Sequence, residues 1–148
     1  MTDTESAGPL DLSSLRAAVR ALSNAIEVTA SPQAQAVDAR WRDTLVAGVV
    51  QHFEFTFELC WKTLKRQLER EVPSPAELDS MSYRDLIRLG HERGLLAEVV
   101  PWFEFRELRN ITSHTYARDK AAKVAAGASA LLSQAQGLLG VVEARNHG

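Results

Sequence analysis

The sequence predicts an all-α protein, an antiparallel up-and-down four-helix bundle with one short extra helix, and three observations carry that expectation. Ala and Leu fill 39 of the 148 positions, while Gly and Pro together fill 13; Ala and Leu lose least on entering a helix. Apolar residues recur every three or four positions over most of the chain, the spacing that puts them on one helical face. The one strand-like alternation, Phe53, Phe55 and Phe57, is short, and the helical pattern extends on both sides of it. A chain of this length suits one domain, expected over residues 11–146 behind a flexible polar tail at 1–10.

Each element has its own signal. Leu12, Leu15, Val19, Leu22 and Ile26 form the stripe of a first helix, capped by Asp11 or Ser13. Ala30-Ser31-Pro32 ends it, because the residue before proline disfavours the helical region. A second helix is expected from about Ala36 to Arg70, with Trp41, Leu45, Val49, Phe53, Phe57, Cys60, Trp61, Leu64 and Leu68 on one broad apolar face. Pro73 and Pro75 stop it. Ser82 and Asp85 resemble a capping box at the start of a short helix carrying Leu86, Ile87 and Leu89, and Gly94 is its stop. Pro101 suits the first turn of the next helix, which carries Trp102, Phe103, Phe105 and Leu108. The last runs from about Asp119 to Arg145, with a near-heptad seam of Val124, Ala128, Leu131, Ala135, Leu138 and Val142. Its alanines and glycines let a neighbour approach closely.

Composition narrows the function. The net charge is −2, which argues against a broad polyanion-binding face. A single cysteine, Cys60, leaves no internal disulfide and no multi-cysteine zinc site. The polar, acidic start of the sequence has no apolar core of a secretory leader. Residues 124–142 carry no charge, yet their Gly, Ser and Gln content suits a bundle helix better than a membrane span. A cytoplasmic protein without membrane association, metal or cofactor is expected. Of the histidines, His147 falls in the tail, His91 reads as solvated, and His52 as a packed or interfacial residue beside the aromatic face.

The chemistry concentrates in residues 106–116, which hold Arg106, Arg109, Asn110, Thr112, Ser113, His114, Thr115 and Tyr116. Asn, Ser and Thr compete with the backbone for hydrogen bonds, so one reading is a helix end with polar caps. The other is a phosphodiester site. His114 could take a proton from a ribose 2′-hydroxyl, and Arg109 could hold the charge that develops on the phosphate oxygens. Five steps of about 100° put positions 109 and 114 roughly 140° apart on a regular helix. Convergence therefore needs a break near Ile111-Thr112-Ser113, or residues from two protomers.

The spacing Arg109-x4-His114-x-Tyr116 resembles the R-x4-H-x-Y motif of HEPN-domain proteins of the HepT type. The string Arg109-Asn110-Ile111-Thr112-Ser113-His114-Thr115-Tyr116 is similar to that of their nucleotidyltransferase substrate-binding subgroup. So, independently, is the aromatic stretch from Gln51 to Lys65. The resemblance implies a homodimer of helical bundles paired with a small nucleotidyltransferase encoded by an adjacent gene. It also implies a metal-independent ribonuclease of the toxin–antitoxin kind, with RNA as substrate, silenced when the partner transfers AMP from ATP onto the motif tyrosine. On these positions Arg109 and His114 carry over as the catalytic pair, and Asn110 as an accessory polar group. Thr112 and Ser113 carry over as supporting residues, and Tyr116 as the modification site. The alternative is a non-catalytic substrate-binding subunit of a nucleotidyltransferase complex. Glu54 and Glu58, one turn apart, either orient arginines or serve as ordinary solvated or ion-paired carboxylates.

Overall fold

The computed structural model describes residues 8–114 and 118–147, with the side chains of 112–114 and 118 outside the described set. Six α-helices follow in order: α1 Ser13–Ala30, α2 Pro32–Ala36, α3 Ala39–Glu71, α4 Tyr83–Glu92, α5 Val100–His114 and α6 Arg118–His147; a 3-10 helix, Pro75–Ser80, joins α3 to α4. No strand occurs among the described residues. The long helices α1, α3, α5 and α6 pack on one another, α3 and α6 each touching the other three.

Residues 8–10 of the expected tail are tied down. Leu10 N–H donates to Asn146 Oδ1 at 3.0 Å, and Arg70 Nη1 donates to the Gly8 carbonyl at 2.5 Å. The N-cap position of α1 is Leu12, which makes no side-chain cap; Asp11, one residue earlier, accepts from the Ser13 amide at 3.0 Å and its hydroxyl at 2.6 Å, and those donors hold its carboxyl below the usual range.

The second expected helix began too early. Pro32 does not merely end α1; it opens the separate helix α2, because a proline at the first position gives up only an amide that would be orphaned anyway. Ser31 caps α2 through the Ala34 amide at 3.2 Å. Asp38 then caps α3 by accepting from the Arg40 and Trp41 amides at 2.9 and 3.3 Å. Two short helices and a 3-10 helix therefore accompany the long ones, against the one short helix expected. The expected apolar face of α3 also starts later: Trp41 is 64% exposed, and burial begins at Val49. Phe53 and Phe57 are buried while Phe55 is 60% exposed, as positions four apart on a helix require and a strand forbids.

Ser82 caps α4 by accepting from the Asp85 amide at 3.1 Å. Gly94 closes it with φ +78°, and the Leu95 amide reaches back to the Gly90 carbonyl at 2.8 Å, a glycine-terminated helix end. All six residues of the α6 seam are buried. By length and composition α6 could cross a membrane, yet this seam lies in the core with α1, α3 and α5. Close approach is evident at Gly127, where a Cβ would stand 2.6 Å from Leu108 Cδ1 of α5. Cys60 is fully buried, and burial pushes its thiol well above the usual range.

Candidate functional site

A cleft of about 430 Å³ opens between α3, the 3-10 segment, α4 and α5. Its apolar floor is Phe57, Leu78, Met81 and Leu86; its polar wall is Glu58, Lys65, Asp79, Arg106, Arg109 and Asn110. Helical spacing explains the grouping: Glu58, Trp61 and Lys65 recur on one face of α3, as Arg106, Arg109 and Asn110 do on α5.

Arg109 is the pivot. Its Nε lies 3.2 Å from Glu58 Oε1, with the two side chains 35% and 30% exposed. Glu58 is fixed from its other oxygen, which accepts from the Trp61 indole N–H at 3.2 Å and has Lys62 Nζ at 3.9 Å. Of the two carboxylates considered from the sequence, Glu58 is the one that meets the motif arginine. Lys65 pairs with Asp79 at 2.8 Å.

Tyr83 forms the back of the cleft. Its hydroxyl donates to the Trp102 carbonyl at 2.9 Å, and its ring packs against Phe57 and, edge-on, Trp61. Burial pushes its phenol above the usual range, opposed in part by the nearby Arg106. The Arg106 guanidinium lies 4.8 Å from the Tyr83 ring centre. Just outside, Arg84 and Arg88 stand 4.3 and 5.6 Å from the ring centre of Phe103. Tyr83 and Asp79 carry no functional signal in the sequence; they reach this site through the segment between α3 and α4.

Of the candidate residues, Arg109 is half-buried and Asn110 exposed, both on the cleft. Thr112, Ser113 and His114 lie in the last turn of α5, but their side chains are outside the described residues, and so is Tyr116 altogether. Of the two routes to convergence, a break at Ile111-Thr112-Ser113 does not occur: α5 runs unbroken to His114. Positions 109 and 114 therefore keep the 140° separation of a regular helix.

The other histidines are elsewhere. His52 is half-buried in the groove between α1 and α3. His91 is exposed, with Nδ1 3.0 Å from the Leu96 carbonyl oxygen, so it is not simply solvated. His147 ends α6 rather than lying in a tail.

Residues 10–146 match the model of a family described as nucleotidyltransferase substrate binding protein like. A Haemophilus influenzae protein named probable ribonuclease HepT is 37% identical over 105 residues, 71% of this chain and 72% of its own length. A solved Haemophilus influenzae structure, described as revealing the fold of a substrate binding domain of a nucleotidyltransferase, matches with a TM-score of 0.86. It is 31% identical, and the match covers 90% of this chain and 99% of that one.

Proposed function

The chain belongs to the nucleotidyltransferase substrate binding protein-like family, and from that membership we propose that it is a cytoplasmic, metal-independent endoribonuclease controlled by a small nucleotidyltransferase. In this reading His114 takes the proton of a ribose 2′-hydroxyl as that oxygen attacks the adjacent phosphorus. The 2′-oxygen–phosphorus bond forms and the phosphorus–5′-oxygen bond breaks. The departing 5′-oxygen takes a proton from water, leaving a 2′,3′-cyclic phosphate and a 5′-hydroxyl. Arg109 meets the negative charge growing on the non-bridging oxygens.

The observation that carries the reading is the Glu58–Arg109 pair, which fixes a motif arginine at the rim of a cleft. The Glu58 charge beside its Nε draws the guanidinium to the cleft, and its planar fork is the part suited to phosphate. The 140° between positions 109 and 114 on an unbroken helix favours a site completed across a homodimer. Control follows from Tyr116: its hydroxyl attacks the α-phosphorus of ATP, gains AMP, releases pyrophosphate and gives up its proton. The added charge and bulk two residues from His114 then block RNA entry.

A second reading is a non-catalytic subunit that presents a substrate to the nucleotidyltransferase; the description of the solved relative as a substrate binding domain favours it. Expression of the chain alone, with RNA cleavage by the purified protein, separates the two. The ribonuclease reading expects growth arrest and cleavage, both abolished by Arg109→Ala or His114→Ala. Intact RNA with the wild-type chain, together with AMP labelling by a co-purifying nucleotidyltransferase, would establish the second reading instead.

A further inference from the structure

We infer that the cleft beside Arg109 is a nucleobase pocket, and that it seats one unstacked base of a single-stranded RNA with Arg106 at its rim. The inference rests on the ribonucleolytic reading for its substrate class and on the geometry for the pocket. The volume, about 430 Å³, falls in the range of small-ligand sites. It is larger than a phosphate needs, and its floor of Phe57, Leu78, Met81 and Leu86 offers a phosphate nothing. A flat heteroaromatic ring uses such a floor, and Trp61, which also lines the cleft, supplies an aromatic wall on which a base stacks.

The rim supplies the complementary part. Arg106 is exposed and lines the cleft, and its guanidinium lies over the Tyr83 ring, 4.8 Å from its centre. A guanidinium plane so placed can stack on a base or turn its N–H groups to a phosphate. Arg84 and Arg88 stand over Phe103, outside the cleft lining, and Arg88 is paired with Asp85 at 3.3 Å. Both carboxylates on the cleft wall are already engaged by cations, Glu58 by Arg109 and Asp79 by Lys65. The choice of a strand over a free nucleotide follows from the ribonucleolytic reading.

The test is a binding titration on the full-length His114→Ala protein, read by tryptophan fluorescence. The probes are a short single-stranded oligoribonucleotide, the same oligonucleotide with one abasic position, and 5′-AMP. The intact oligonucleotide is expected to quench the fluorescence, and Trp61→Phe to remove most of that quenching. Arg106→Ala is expected to weaken binding roughly tenfold and to flatten its salt dependence. Arg106 is exposed, so its loss leaves the core intact, and Arg20→Ala on α1 serves as the control with unchanged binding. Equal affinity for the abasic strand, equal affinity for AMP, or unchanged binding by both Trp61→Phe and Arg106→Ala would overturn the pocket. Failure of the wild-type protein to cleave RNA would sink the ribonucleolytic reading without altering these binding results.

Discussion

Glu58 Oε1 stands 3.2 Å from Arg109 Nε, while its other oxygen accepts from the Trp61 indole N–H at the same distance. The carboxylate thus bridges an aromatic anchor on its own helix and the motif arginine on α5. Its charge draws the Arg109 guanidinium toward α3. The pair adds little to stability, because both partners are about a third exposed and solvent screens them.

Glu58→Gln keeps the shape of the side chain and removes its charge. Under the ribonuclease reading, kcat is expected to fall about tenfold, equivalent to about 1.4 kcal/mol of transition-state stabilisation. KM and the melting temperature should barely move. A variant that cleaves at the wild-type rate would show that Arg109 needs no such support.

At the opposite end of the bundle a second arginine has a structural task. Arg145 Nη1 donates to both Glu71 oxygens at 2.7 and 2.9 Å, and its Nη2 donates to the Arg93 carbonyl at 2.6 Å. Arg93 in turn donates to the Glu71 carbonyl at 3.1 Å. One side chain therefore ties the C-terminal end of α6 to the ends of α3 and α4. Arg145→Ala should cost about 1–2 kcal/mol, a charge-assisted network discounted for its partial exposure, and lower the melting temperature by several degrees. Arg145→Lys should recover only part of the loss, since a single ammonium cannot span Glu71 and Arg93 together. A full recovery by lysine in thermal unfolding would reduce the network to simple charge pairing.

How much of this was legible in the sequence depended on range. The α6 seam from Val124 to Val142, the Ser82 cap and the Gly94 stop are local signals, set by helical period or by one turn of backbone, and all three stand in the structure. In the sequence Pro32 reads as a stop, yet its fixed φ equally suits a start, and the short helix it opens leaves Asp38 as the cap of α3. The site was legible only in part. Arg109 and Asn110 were marked by composition, but the choice of Glu58 over Glu54 depends on how α5 docks on α3. Tyr83 and Arg106 meet across more than twenty residues of chain, and no periodicity reports such a contact.

Gly94 supports a prediction about backbone alone. Its φ of +78° lies where a Cβ is strained, and a Cβ built there would stand 3.1 Å from Arg145 Nη2. Gly94→Ala should therefore destabilise the protein by about 1 kcal/mol or somewhat more, measured by urea unfolding. Gly94→Asn should cost less, because asparagine tolerates the left-handed region better. Equal losses for the two variants would point to crowding of Arg145 rather than backbone strain.

Stability should also fall on the alkaline side, with a direction set by Cys60 and Tyr83. Burial raises both groups in the folded protein, from ordinary values of 9.0 and 10.0. In the unfolded chain each loses its proton near its ordinary value; in the folded protein each keeps it. The unfolded state then binds fewer protons than the native one, so unfolding becomes easier as pH rises. Below about pH 8.5 neither group contributes a slope. Above about pH 9 the cysteine does, by up to about 1.4 kcal/mol per pH unit, and above about pH 10 the tyrosine adds to it. Urea unfolding under reducing conditions between pH 7 and 10.5 should show this curvature. Cys60→Ala will lower stability at every pH by opening a small cavity, but it should flatten the segment between about pH 9 and 10 and leave the later fall in place. If the alanine variant loses stability over that segment as steeply as the wild type, Cys60 is not the group that titrates.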